Sequence, residues 1–181
     1  QFDIVAQWLE HLKQQPPIAQ PRSGPLPVAA STAIGSNALG ASAIIPTAAG
    51  PVRERACRVD ESHRIFGIAS DRARPGPAGA ATDANHNSNR SALLLINAGA
   101  IHRIGANRLY VDLARYWAAR GHTVLRIDIA GMGDSPARDG KDENLVYAHT
   151  AAADTAAAIA WLRRDAPGAP VHAIGLCSGA F

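Results

Sequence analysis

The order of elements between residues 92 and 176 predicts an α/β fold built on a mostly parallel sheet. Three observations carry that expectation. Ala92–Ile96 is an unbroken apolar run, the texture of a strand covered on both faces. Thr123–Ile129 and Val171–Leu176 repeat the strand character with Val124, Leu125, Ile127 and Ile174. Between these runs lie two helical patterns, 107–120 and 149–165. Strand, helix, strand, helix, strand calls for parallel pairing through right-handed crossovers.

The elements follow in chain order. Residues 2–13 set Phe2, Val5, Trp8, Leu9 and Leu12 at helical spacing, and the Pro16-Pro17 pair ends that amphipathic helix. It either packs back on the main domain or closes a preceding one. The long low-complexity gap at 14–50 favours the second, with 14–50 as linker. From Pro51 the texture changes, and 51–181 reads as the main domain. Val52–Val59 and Arg64–Ala69 suit two short antiparallel strands joined as a hairpin. Residues 75–89, rich in Pro, Gly, Ala and Asn, read as a surface loop. In the 107–120 helix Leu109, Leu113, Tyr116 and Trp117 form the expected inward face, and Gly121 ends it. In the Ala-rich 149–165 helix Ile159 and Leu162 point inward, and Pro167-Gly168 closes it.

Composition narrows the functional classes. With 47% hydrophobic and 18% charged residues in 181, the chain is not wholly disordered. A net charge of +3, with no basic run to gather it, gives no sign of a nucleic-acid partner. Two cysteines, Cys57 and Cys177, are too few for a disulfide framework and suit a reducing, cytoplasmic setting. The uncharged stretch 23–52 is interrupted by Pro25, Pro27, Gly35, Gly40, Pro46 and Gly50, so it does not supply a membrane span. A chain opening on Gln1 and stopping after a Gly-rich turn at Phe181 reads as a piece of something longer.

Three segments carry candidate chemistry. Gly175-Leu176-Cys177-Ser178-Gly179 follows the third strand directly. It has the G-x-nucleophile-x-G shape, in which small flanking residues let neighbouring backbones approach a strained central residue. Cys177 is central, and a thiolate is a competent nucleophile toward an acyl carbon. The bland alternative is a packing turn with an inert cysteine and Ser178 as a helix cap. Asn97-Ala98-Gly99-Ala100 opens the loop after the first buried strand. In such sites that loop gives one oxyanion N–H and the residue after the nucleophile gives the other, which assigns Ala100 and Ser178. The third segment is Asp128–Ser135, where Asp128, Gly131, Gly133, Asp134 and Ser135 read as turn formers and local hydrogen-bonding groups. His102 and Arg103, just past the oxyanion loop, are candidates to line the pocket or meet a substrate carboxylate. His63, His122 and His172 sit at turns or strand starts and read as solvated. No histidine pair has metal-ligand spacing supported by Cys or acids, and Gly99–Gly105 lacks the dinucleotide pattern. Neither a metal nor a cofactor is expected.

These motifs, in this order, resemble the N-terminal half of an α/β-hydrolase. Residues 128–135 resemble the family's D-x-x-G-x-G-x-S segment, and 95–100 its oxyanion loop, with Ala98 where His usually stands. More narrowly, Asn97-Ala98-Gly99, His102-Arg103, Asn107–Tyr110 and Gly175–Gly179 are similar to bacterial serine-aminopeptidase-like hydrolases, including those associated with exosortase systems. The resemblance implies an α/β-hydrolase-type sheet with an N-terminal antiparallel hairpin, truncated after the nucleophile elbow. It implies hydrolysis of ester, thioester or small amide bonds, a small-molecule acyl substrate, and a triad acid and histidine lying beyond Phe181. Most members carry Ser where this chain has Cys177, although cysteine nucleophiles occur, as in dienelactone hydrolases. Acyl transfer or thioesterase-like action within a biosynthetic assembly, and a non-catalytic binding module on the same fold, are the rival readings. The oligomeric state is not legible in the sequence.

Overall fold

A computed structural model describes residues 41–60, 65–73 and 90–180. All belong to the second of two units into which the chain divides, Ser36–Phe181. The expected helix at 2–13, most of the 14–50 segment and the 75–89 loop lie outside the described residues.

Six strands form one mixed sheet: β1 (Ser42–Ile45), β2 (Val52–Arg58), β3 (Phe66–Arg72), β4 (Ala92–Ile96), β5 (Thr123–Ile127) and β6 (Val171–Gly175), in the order β1-β2-β3-β5-β4-β6. β1, β2 and β3 run as an antiparallel meander, and β3 is antiparallel to β5. β4 lies between β5 and β6 and is parallel to both. The α/β class and the hairpin stand. β1 is a correction, because it falls inside the 14–50 segment expected to be linker. Its residues are mostly exposed, and its partner β2 supplies the reason for it to be extended.

Helices α1 (Leu109–Ala119) and α2 (Ala151–Asp165) cover opposite faces of the sheet. Strand alternation explains the division. Leu93, Leu95 and Val124 pack with Tyr110 and Ala114 of α1, while Ala92, Leu94, Ile96, Leu125 and Ile127 pack with Ala158 and Leu162 of α2. Burying one such aliphatic side chain contributes about 1.5–3 kcal/mol, so the continuous apolar run of β4 anchors both layers.

The charged alternation of β2 has the same origin. Glu54 turns toward α1 and accepts two hydrogen bonds from Arg115, each 3.0 Å, and one from Arg126 at 3.2 Å. Arg55, on the other face, reaches Asp165 of α2 at 2.7 Å. Burial pushes the Arg126 guanidinium down to about 10, still charged at neutral pH.

The inward face of α1 differs from the expected one. Tyr110, Val111, Ala114, Ala118 and Ala119 are buried, while Leu109, Leu113 and Trp117 pack at the flank. Small alanines let the helix approach the sheet, and the larger side chains close the sides. Gly121 ends the helix as expected. It has φ +96°, and its N–H bonds Ala118 while that of His122 bonds Trp117, which is the Schellman arrangement.

Candidate functional site

The carboxyl ends of β4, β5 and β6 all open on one edge of the parallel part of the sheet. There the chain places loops 97–105 and 128–135 and the turn 176–180. Ligands of open α/β sheets bind outside such strand ends.

The 175–179 turn is sterically determined. Cys177 has φ +56°, a left-handed conformation rare for a side chain with a Cβ and worth about 1–3 kcal/mol of local strain. The flanking glycines make that turn feasible. A Cβ on Gly175 would lie 1.8 Å from the Gly179 carbonyl oxygen, and one on Gly179 would lie 2.2 Å from that of Asn97. No larger residue fits at either position. Gly179 donates its N–H to Leu176 at 3.0 Å, and the turn presents the Cys177 thiol exposed. No histidine or carboxylate among the described residues is hydrogen-bonded to that thiol. The second cysteine is its opposite: Cys57 is buried, its Sγ lies 3.5 Å from the Gly67 carbonyl, and burial pushes its thiol up to about 11.

The 97–100 loop faces this turn. Asn97 is buried and acts as its anchor, donating to the Ile101 carbonyl at 2.9 Å and to Asp128 at 3.1 Å, and accepting the Ile129 N–H at 2.8 Å. Gly99, at φ +60°, donates its N–H to the Ser178 hydroxyl oxygen at 2.6 Å. Ala100 is exposed at the tip. Among the described residues the Ala100 N–H makes no backbone hydrogen bond, and the neighbouring Gly99 N–H is taken by Ser178. The two expected donors therefore sit on segments that touch each other.

Asp128 holds the floor of the site. It is fully buried and accepts from Asn97, from the Arg103 N–H at 2.6 Å, from the Arg103 guanidinium and from the Asp134 N–H at 3.1 Å. A Cβ on Gly133 would lie 2.4 Å from its carboxylate, so the second glycine of the segment is required by packing. Ser135 donates to the Asp128 carbonyl at 2.6 Å and accepts the Phe66 N–H at 2.8 Å. The structural reading of Asp128, Gly133, Asp134 and Ser135 holds. Arg103 does not stand as a free cation for a substrate carboxylate. It pairs with Asp128 and Asp134 and lies 4.4 Å over the Phe66 ring, which makes it a brace. His102 is exposed.

No protein-family model and no curated protein matches the chain.

Sequence reasoning passed over two residues that shape this edge. Asp154 is buried in the first turn of α2, where it accepts the Ala130 N–H at 2.9 Å and pairs with Arg138. It ties the segment after β5 to the helix layer, and a single acid in an alanine run was its only signal. The Ser178 side chain is the other: the sequence offered it only as a helix cap, and its contact with Gly99 has no local signal. His122 also departs from the solvated reading. It is half-buried and its Nδ1 accepts the Ser91 N–H at 3.1 Å. Burial is the largest cause that lowers its pKa, and the nearby Arg90 charge adds to it.

Among the described residues one cleft of about 590 Å³ lies beside Trp161, Arg164 and Arg58, and another of about 110 Å³ beside Ala130, Arg138, Lys141 and His149. Cys177 lines neither, so concavity alone does not point to the chemistry. Large apolar side chains are exposed around the strand ends: Ile101 and Ile104 after β4, Leu145 and Tyr147 after β5, and Leu176 after β6. Among the described residues no three His, Cys, Asp or Glu side chains gather to hold a metal, and no helix is long and apolar enough to cross a membrane.

Proposed function

We propose that residues 51–181 form the nucleophile-bearing half of an α/β-hydrolase domain, and that Cys177 attacks the acyl carbon of an ester, thioester or small amide. The observation that carries this reading is the Cys177 turn itself. An exposed thiol stands at φ +56° after a parallel strand, between glycines that admit no Cβ. Strained non-glycine residues persist where surrounding structure holds them, and they gather at functional sites.

The chemistry runs in two halves. The Cys177 thiolate forms an S–C bond to the carbonyl carbon, and the carbonyl oxygen becomes an oxyanion facing the Ala100 and Ser178 N–H groups. The bond to the leaving group breaks as that group takes a proton. Water then adds to the thioester, and the S–C bond breaks to release the carboxylic acid and restore the thiol. The base for the thiol and the acid that orients it are assigned to sequence after Phe181, following the motif order of the resemblance. The exposed Ile101, Ile104 and Leu176 favour an acyl group with an apolar portion over a charged one. In the protein expressed from its complete reading frame, Cys177→Ala should abolish hydrolysis of p-nitrophenyl esters. Turnover at the unsubstituted rate in that variant would overturn the proposal.

A further inference from the structure

The Ser178 side chain makes a contact that the reaction just described leaves unused. Its hydroxyl oxygen accepts the Gly99 N–H at 2.6 Å across 79 positions of sequence. Gly99 sits at φ +60°, so the loop tip it belongs to has a wide choice of backbone conformations. One side of the loop is fixed by Asn97 through its bonds to Ile101, Asp128 and Ile129. At the tip, only the Ile101 N–H to Ala98 carbonyl bond at 3.2 Å and the Ser178 contact restrain it among the described residues. The residue that clamps the tip is thus also the neighbour of Cys177.

We infer that Ser178 is a positioning residue, whose hydroxyl fixes the separation between the two oxyanion donors by holding the 97–100 loop against the nucleophile turn. This rests on the hydrolase reading for its catalytic consequence, but the clamp itself does not. One donor is the backbone N–H of Ser178, and the other is on Ala100, next to the residue that Ser178 grips. A single side chain therefore sets both ends of the oxyanion site. Gly179 packed against the Asn97 carbonyl keeps the two backbones in contact, and the hydroxyl decides their register. An oxyanion donor acts only at the correct distance from the developing charge, so a loop tip released by loss of the hydroxyl lowers kcat while leaving substrate binding in place.

The test has two arms on the protein from its complete reading frame. Amide hydrogen exchange at Gly99 is measured by NMR in the unsubstituted protein, in Ser178→Ala and in Ser178→Thr. The clamp predicts a protected Gly99 amide, at least tenfold faster exchange in Ser178→Ala, and recovery in Ser178→Thr. The kinetic arm predicts a kcat about 10- to 100-fold lower in Ser178→Ala, below the roughly 100- to 1,000-fold cost of deleting a donor outright. KM should stay within about threefold and Ser178→Thr should regain most of the rate. An unprotected Gly99 amide in the unsubstituted protein overturns the clamp without recourse to any variant. Protection with kcat unchanged in Ser178→Ala overturns its catalytic role. Activity that survives Cys177→Ala defeats the hydrolase reading instead, and the exchange arm still judges the contact.

Discussion

Replacing Asp128 by Asn separates a structural hub from an interchangeable turn residue. The carboxylate is fully buried and takes four donors, two on each oxygen: Asn97 and the Arg103 N–H on Oδ1, the Arg103 guanidinium and the Asp134 N–H on Oδ2. An amide keeps one oxygen. Its NH₂ group then faces two donors, whichever way it is turned, and the Arg103 charge loses its buried partner. Removing one member of a buried charge pair costs about 3–5 kcal/mol, and two lost charge-assisted bonds at about 1.5–3 kcal/mol each lead to a similar figure. Asp134 remains beside Arg103 at 2.6 Å but is 56% exposed, so solvent screens what it can return. With a urea m-value of about 2 kcal/mol/M, Asp128→Asn should lower the unfolding midpoint by roughly 2 M at unchanged m. Asp134→Asn serves as the control and should shift it by less than about 0.3 M, the behaviour of an exposed substitution. A midpoint for Asp128→Asn within that control range would refute the account of the site floor.

The two cysteines should separate in a labelling experiment. Iodoacetamide at pH 8 should modify the exposed Cys177 and spare Cys57, whose thiol at about 11 is only about one part in a thousand ionised, and peptide mass mapping in urea should then show both labelled. His122 gives a pH dependence. Its folded pKa lies below the ordinary 6.5, so the unfolded chain binds the proton first and stability falls as pH drops from above 6.5 toward the lowered folded value, then levels off. The urea midpoint should therefore fall between pH 7.5 and pH 5.5 by more in the unsubstituted protein than in His122→Gln, and an equal fall in both would remove His122 from the explanation.

Local chemistry made much of this fold legible. The apolar run of β4, the Gly121 helix stop and the Gly175–Gly179 spacing each follow from constraints acting within a few residues. What escaped depends on distant partners. Three of the four residues of β1 are exposed, so no alternation marks it as a strand, and its extension comes from pairing with β2. The buried face of α1 rests on Ala114 and Ala118, which a ranking by hydrophobic size places below Leu113 and Trp117. Arg103 read as a candidate to line the pocket or meet a substrate carboxylate because its partner Asp128 lies 25 positions away. The elbow spacing singled out Cys177, but nothing local to Ser178 indicates that its hydroxyl reaches Gly99.

The most direct test of the central claim is the mass of the protein after a brief reaction with p-nitrophenyl butyrate. The protein should come from its complete reading frame, be quenched in acid and be digested for peptide mapping. The account predicts a butyryl adduct on the peptide containing Cys177, formed in step with a burst of p-nitrophenol and absent from Cys177→Ala. An adduct that forms equally well in Cys177→Ala, or turnover without any acylated Cys177, would contradict it.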